Sequence, residues 1–335
     1  MNGRGVLEAI GNTPLVALRA FGERSDIETW AKLESLNPGG SSKDRSAARM
    51  IADALDDGRI EPGSTVVEST SGNLGIGLAQ ACLVHNLALI CVVDSRTDPA
   101  KIERIRDLGG LVHVVSEPDP ETGDLLTARL RFVQELAEST PGAWWPDQYS
   151  NGSNPAAHTE TMAEIDEALD ADLDWLFVAT STTGTLVGCC DYLLDHGRET
   201  KVVAVDAVGS VLFGGERATR RLPGLGAGIT TGLSRRAWFD QLIRVSDLDC
   251  VVGCRRLMAR EGIYAGASSG GVAMAFESLA PLLDPGSRCA MIFADGGEGY
   301  IDTVYDDEWV ERELRVSPGE LELLTGREDP RTRVE

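Results

Sequence analysis

Short, unbroken apolar runs alternate with longer helical stretches along most of this chain. That alternation restricts its fold more than any single residue does. Residues 65–68 read as a strand, followed by a Ser/Gly loop and an apolar helix through Val84. Residues 87–93 and 111–115 read as strands, with residues 98–108 helical between them. Residues 125–139 carry helical periodicity. Residues 175–179 and 201–205 are strand-like, separated by a helix from Leu186 to about Asp195. Residues 255–260 and 272–283 are helical, and residues 289–293 form a last short strand. Strands that are apolar on both faces need helices on both faces. The pattern therefore predicts an α/β architecture with parallel sheets. A coarse duplication places two α/β halves on either side of a loop at 146–155. The stretch 213–237, rich in Gly and Arg and without a period, reads as a long functional loop. The tail after Val316 is charged and is expected to fray.

Length and charge narrow the function. The 335 residues suffice for two domains with real cores. No apolar run reaches the length of a membrane span, and the first residues lack the apolar core of a signal peptide, so a cytoplasmic location is expected. A formal net charge of −22 argues against nucleic acid or an anionic membrane as a partner. The seven cysteines are Cys82, Cys91, Cys189, Cys190, Cys250, Cys254 and Cys289. Their odd number, the lack of a C-x-x-C pair and only four histidines predict reduced, mostly buried thiols and no metal site.

One lysine and three loops carry the chemistry. Lys43 follows Pro38-Gly39-Gly40-Ser41-Ser42 and precedes an amphipathic run at 46–55. Ser41 or Ser42 is suited to cap that helix and Gly58 to end it. In the first turn the helix dipole disfavours an ammonium, so the Lys43 amine should lose its proton readily. A neutral amine on a short loop is what a carbonyl cofactor needs for a Schiff base. Loops joining a strand to a helix bind ligands in open α/β sheets, because the free helix N–H groups attract anions. The first such loop is Ser69-Thr70-Ser71-Gly72-Asn73, whose hydroxyls and amides suit a carboxylate. The second is Ser181-Thr182-Thr183-Gly184-Thr185, four hydroxyls and a glycine that suit a phosphate ester. The third, Ala265 to Gly271, places serines before a helix. Neither a dinucleotide fingerprint, a P-loop nor a nucleophile elbow occurs, so nucleotide binding and serine hydrolysis are poorly supported. His158 reads as a structural histidine.

Six segments in one order resemble fold-type II pyridoxal 5'-phosphate enzymes of the cysteine synthase group. They are Ile10 to Leu15, Asn37 to Arg45, Glu68 to Asn73, Asp147-Gln148-Tyr149 with Asn154 and His158, the Ser181 loop, and Ala265 to Gly270. The resemblance spans residues 8 to about 310. It implies two open twisted α/β domains with the cofactor in the cleft between them. The smaller, mobile domain would be 39–148 and the larger 1–38 plus 149–316, with a charged tail at 317–335. It implies that Lys43 is the Schiff-base lysine and that Asn73 contacts the cofactor's ring hydroxyl. It further implies that Ser181, Thr182, Thr183, Gly184 and Thr185 bind its phosphate and that Ser268 faces its pyridine nitrogen. Ser69, Thr70, Ser71, Gly72 and Gln148 would hold the substrate's α-carboxylate.

Within that group the chain is most similar to the branch that joins O-phospho-L-serine to L-glutamate. The product, N-(1-amino-1-carboxy-2-ethyl)-L-glutamate, leads to 2,3-diaminopropionate for siderophores and peptide antibiotics. The Ser-Thr-Thr-Gly phosphate loop and the segments 127–135, 205–214 and 221–226 carry this likeness. It places Arg129 at the phosphate leaving group and lets Tyr149 and Ser181 help admit the second amino acid. The segment Phe293 to Tyr300 departs from relatives, which tend to carry Pro before the Asp and Arg before the Tyr. The resemblance implies a homodimer. A sulfhydrylase using O-phosphoserine or O-acetylserine with sulfide or a thiol shares every cofactor residue, and a catalytically silent binding partner is the alternative from another class.

Overall fold

A computed structural model describes residues 5–19, 21, 26–70, 72–95, 97–123 and 125–326. Two sheets organise it. The four-stranded sheet is built from β3 (Thr65–Ser69), β4 (Ala88–Asp94), β5 (Leu111–Val115) and β6 (Ala143–Trp144). Its order is β5-β4-β3-β6, and every pair is parallel. The six-stranded sheet contains β1 (Leu15–Ala17), β2 (Glu28–Leu33), β7 (Trp175–Ala179), β8 (Lys201–Ala207), β9 (Gln241–Val245) and β10 (Arg288–Phe293). Its order is β1-β2-β10-β7-β8-β9. Only the edge strand β1 runs antiparallel, with Val16 opposite Ala31.

Helices cover both faces of each sheet, as continuous apolar strands require. On the smaller sheet, α1 (Lys43–Asp56), α2 (Asn73–Val84) and α3 (Pro99–Asp107) enclose one core that includes Met50, Leu78, Leu89 and Ile105. On the opposite face α4 (Leu125–Ser139) closes a smaller cluster of Val67, Val92 and Val133. On the larger sheet, α5 (Ser153–Ala168) and α6 (Gly184–Asp195) cover one face. There Ile165, Leu176, Leu186 and Leu193 are fully buried. The other face is covered by α7 (Asp247–Glu261) and α8 (Ala267–Leu279). Phe177 of β7 meets Phe276 of α8 edge to face, ring centroids 5.6 Å apart. Full burial of such a side chain contributes about 1.5–3 kcal/mol.

Helix ends follow from local chemistry. The Ser41 hydroxyl, not that of Ser42, accepts from the Lys43 N–H at 3.2 Å, and Ser42 occupies the cap position without a side-chain bond. Gly58, at φ +70°, ends α1 as expected. The expectation of a frayed tail after Val316 is corrected in part. Ser317 and Glu320 form a capping box, Pro318 opens α10 (Pro318–Thr325), and Leu321 is buried. The N-terminal part of α7 is likewise set by a capping box of Ser246 and Asp249. All seven cysteines are buried thiols.

Candidate active site

The C-terminal ends of β3, β7 and β10 face a common cleft, the usual location for a ligand in open α/β sheets. Lys43 reaches it as the first residue of α1. Its loop hangs from the end of β10: the Ser42 N–H donates to the Ala294 carbonyl at 2.8 Å, and Ser41 bridges to Asp295. The Asp44 carboxyl folds back to accept from the Gly39 N–H and packs on the Gly39 Cα, where no side chain fits. Gly40 adopts φ +89°, which explains the second glycine. Among the described residues no group hydrogen-bonds the Lys43 amine, which lines the cleft. Burial lowers its pKa, opposed by the carboxylates of Asp295, Glu34 and Asp44. The direction is that expected from the sequence, but desolvation is its chief cause.

Buried charges hold α1 in place. The Arg45 guanidinium donates from Nε to Glu34 at 2.7 Å and from Nη1 and Nη2 to Glu164, both at 2.7 Å. Lys32 Nζ joins Glu164 at 2.5 Å and donates to the Thr13 carbonyl at 2.6 Å. The Asn12 N–H donates to Glu164 at 2.9 Å, so the segment around Gly11 and Thr13 is anchored to the same network. One turn along α1, the Ser46 hydroxyl donates to Asn154 Oδ1 at 2.8 Å and lies 3.2 Å from His158 Nε2. Asn154 Nδ2 in turn donates to Thr182 Oγ1 at 3.2 Å, and His158 Nε2 lies 3.3 Å from Thr185 Oγ1. Asn154 and His158 thus join the lysine helix to the loop before α6. Burial, with Lys43 and Arg45 nearby, holds His158 neutral. Gly184 opens α6 against the Asn154 amide with no room for a Cβ.

The remaining segments converge on Lys43 from three sides. Ser181, Thr182, Thr183 and Thr185 line the cleft beside Lys43, at the N-terminus of α6. Thr183 adopts φ +70°, so its loop turns back over the helix end. Thr70, Gly72, Asn73, Gln148 and Tyr149 line the side facing the smaller sheet, and Ser268 lines the start of α8. Among the described residues the Ser268 hydroxyl has no hydrogen-bond partner. Gln148 Nε2 donates to the Ser69 carbonyl at 2.8 Å, which ties the two carboxylate-loop segments together. The Ser69 hydroxyl is buried without a partner and does not line the cleft. Ser71 lies outside the described residues. Arg129 is not brought to the cleft: it is buried on α4, with Nε 3.4 Å from Asp94 at the end of β4.

Lining residues that escaped the sequence reading include Lys101, Gly224, Asp295 and Tyr300. Gly224 comes from the irregular stretch between β8 and β9, the one read as a functional loop. Asp295 and Tyr300 sit in the segment that departs from the family pattern. Only the place of Asp295 just after a buried strand signalled it. Lys101, near the start of a charged helix, looked like any solvated lysine.

Comparison with known proteins gives the arrangement its family. The model of the pyridoxal-phosphate dependent enzymes matches residues 6–295. The chain belongs to this family. N-(2-amino-2-carboxyethyl)-L-glutamate synthase of Ralstonia nicotianae is 42% identical over 313 residues, 93% of this chain and 92% of that one. The structure of an O-acetylserine dependent cystathionine β-synthase from Helicobacter pylori is 30% identical and superposes with a TM-score of 0.84, covering 90% of this chain and 98% of that one. The structure of O-ureido-L-serine synthase is 31% identical with a TM-score of 0.84, covering 92% and 99%. The two-sheet architecture is that of the fold-type II, cysteine synthase-like pyridoxal-phosphate enzymes.

The residues present fit the cofactor. An amine with no partner and a lowered pKa stands in the cleft, ready for an aldehyde. Beside it, hydroxyl groups and a helix N-terminus offer neutral donors to a phosphate ester. The unpartnered Ser268 hydroxyl is free to meet a ring nitrogen.

Proposed function

We propose that this enzyme condenses O-phospho-L-serine with L-glutamate, giving N-(1-amino-1-carboxy-2-ethyl)-L-glutamate and phosphate for 2,3-diaminopropionate synthesis. The observation that carries the reading is the 42% identity to an N-(2-amino-2-carboxyethyl)-L-glutamate synthase across nearly the whole of both chains. The C–O bond to phosphate breaks at Cβ of the first substrate, and a C–N bond to the glutamate amine forms there.

Bound pyridoxal phosphate supplies an aldehyde for the amino group of the substrate and a ring that spreads negative charge from Cα. Lys43 would hold it covalently at rest. Asn73 would meet its ring hydroxyl, the Ser181–Thr185 loop its phosphate and Ser268 its pyridine nitrogen. A serine hydroxyl leaves that nitrogen neutral, which favours β-elimination over transamination. The Lys43 amine, whose pKa burial lowers, removes the Cα proton and returns it after the second substrate has added. Thr70, Gly72 and Gln148 hold the α-carboxylate, with Ser69 shaping that loop through its carbonyl contact to Gln148. Tyr149 and Ser181 line the cleft and on this reading help admit glutamate. On this reading residues 39–148 form the smaller domain, which closes on the substrate and excludes water. A cytoplasmic homodimer belongs to the same reading, on the family resemblance.

The visible spectrum of the purified holoenzyme tests it. O-phospho-L-serine should shift the cofactor band, and L-glutamate should reverse the shift with release of phosphate. Lys43→Ala should lose both the band and turnover. A shift produced by O-acetylserine and reversed only by sulfide would make the enzyme a cysteine synthase instead.

A further inference from the structure

Two cationic side chains line the cleft among the described residues, Lys43 and Lys101. Lys43 is committed to the cofactor. Lys101 extends from α3 across the cleft towards Gly299 and Tyr300, and its Nζ lies 5.5 Å from the Tyr300 ring centroid. It passes directly over Gly72 of the carboxylate loop: a Cβ there would lie 2.9 Å from Lys101 Cδ and 3.2 Å from Nζ. Among the described residues it has no carboxylate partner. An aromatic face holds an ammonium weakly, by about 0.5–1 kcal/mol where water still reaches it. Lys101 is therefore a held but available positive charge, beside the groups that would take the α-carboxylate.

Both proposed substrates are acidic amino acids, and each brings an anion beyond its α-carboxylate. In a chain of net charge −22 such an anion needs a local cation. Arg129 does not line the cleft and faces Asp94. We propose that Lys101 is a specificity-determining residue that receives the additional anionic group of an acidic amino-acid substrate, the phosphate monoester of the first or the carboxylate of the second. The inference rests on the functional reading above. It also explains why Gly72 stays small: a larger residue would push the ammonium away from the cleft.

The test uses holoenzyme carrying Lys101→Met or Lys101→Arg, each first shown to keep the cofactor band and melting midpoint of the parent. KM is measured for O-phospho-L-serine and L-glutamate separately, the other being saturating. Lys101→Met should raise one of them roughly ten- to a hundredfold, with a smaller change in kcat, and Lys101→Arg should restore most of the loss. A rise for O-phospho-L-serine assigns the phosphate; a rise for L-glutamate assigns the carboxylate. Both KM values within twofold of the parent, a fall in kcat alone, or no rescue by arginine overturns the proposal. Should the parent enzyme not couple these two substrates, the functional reading fails separately. Calorimetric titration of inorganic phosphate and of glutarate into holoenzyme then decides. Binding that Lys101→Met abolishes sustains the anion site; equal binding, or none to the parent, removes it.

Discussion

The Asn73 amide donates to the Asp295 carboxylate at 2.8 Å, across the cleft between the two sheets. The same carboxylate oxygen accepts from the Tyr300 hydroxyl at 2.9 Å. Asp295 thus fixes the residue proposed to meet the cofactor's ring, and its negative charge opposes the loss of a proton by Lys43.

Replacing Asp295 by asparagine removes that opposition. The Lys43 pKa, already lowered by burial, should fall further. Incorporation of pyridoxal phosphate into apoprotein, followed by the visible band across a pH series, should reach its half-maximal rate at lower pH than in the parent. An unchanged profile would show that the Asp295 charge is not felt at the amine.

Glu68 gives a stability effect that grows with pH. Burial pushes its carboxyl up to about 8, although the Trp145 ring N–H and the Gln148 and Ser69 backbone N–H groups pull it down. An acid with a raised folded pKa holds more protons folded than unfolded between about 4.5 and 8, so stability falls as pH rises through that window. Glu68→Gln should flatten this fall. Its urea midpoint relative to the parent should improve by the equivalent of about 1–3 kcal/mol between pH 5 and pH 8.

Glu164 acts in the opposite sense. Arg45 and Lys32 bring its carboxyl down to about 2 against the cost of burial. Its contribution is complete above about 4.5 and is lost as pH falls towards 2. Glu164→Gln should cost on the order of 3 kcal/mol at pH 7, because buried Lys32 then loses its carboxylate partner and Arg45 keeps Glu34 alone. Denaturant unfolding at pH 7 and pH 3 should show the gap narrowing at acid pH; a constant gap would mean the loss is one of packing.

Arg129 faces Asp94 inside the smaller unit. Arg129→Ala should lower the melting midpoint and reduce turnover with O-phospho-L-serine and O-acetylserine to similar degrees. A loss confined to O-phospho-L-serine would bring the guanidinium to the leaving group.

Gly184→Ala places a methyl group against the Asn154 amide, where there is no space. The expected result is a loss of about 1–3 kcal/mol in stability. Cofactor affinity should fall roughly tenfold, read by dialysis and the visible band. Unchanged affinity would detach the loop geometry from phosphate binding.

The sequence disclosed elements whose pattern comes from burial on both faces. The strands at 65–69, 111–115 and 175–179 and the helix at 125–139 appear within a residue of their expected bounds. Helix α5 was not legible, because its inward face carries Asn154, His158, Thr161 and Asp166 beside its apolar residues. Buried polar side chains that are satisfied by one another leave no hydrophobic period. Lys32 hid β2 for the same reason, as a fully buried cation in an alternating strand. The family motifs located Lys43, Asn73, Ser268 and the Ser181 loop. They had no means of showing Lys101 or Asp295, whose roles depend on what stands opposite in space.

Strand β10 is the last of the large sheet in the chain, yet it lies between β2 and β7. Its end also carries Ala294 and Asp295, from which the Lys43 loop hangs. A ribosome finishes the four-stranded unit at Trp144 and reaches Phe293 only after roughly another 7–30 s of synthesis. During that interval the reactive lysine is already made but has no cleft to occupy. The surroundings of the lysine are therefore complete only once β10 has been inserted between β2 and β7.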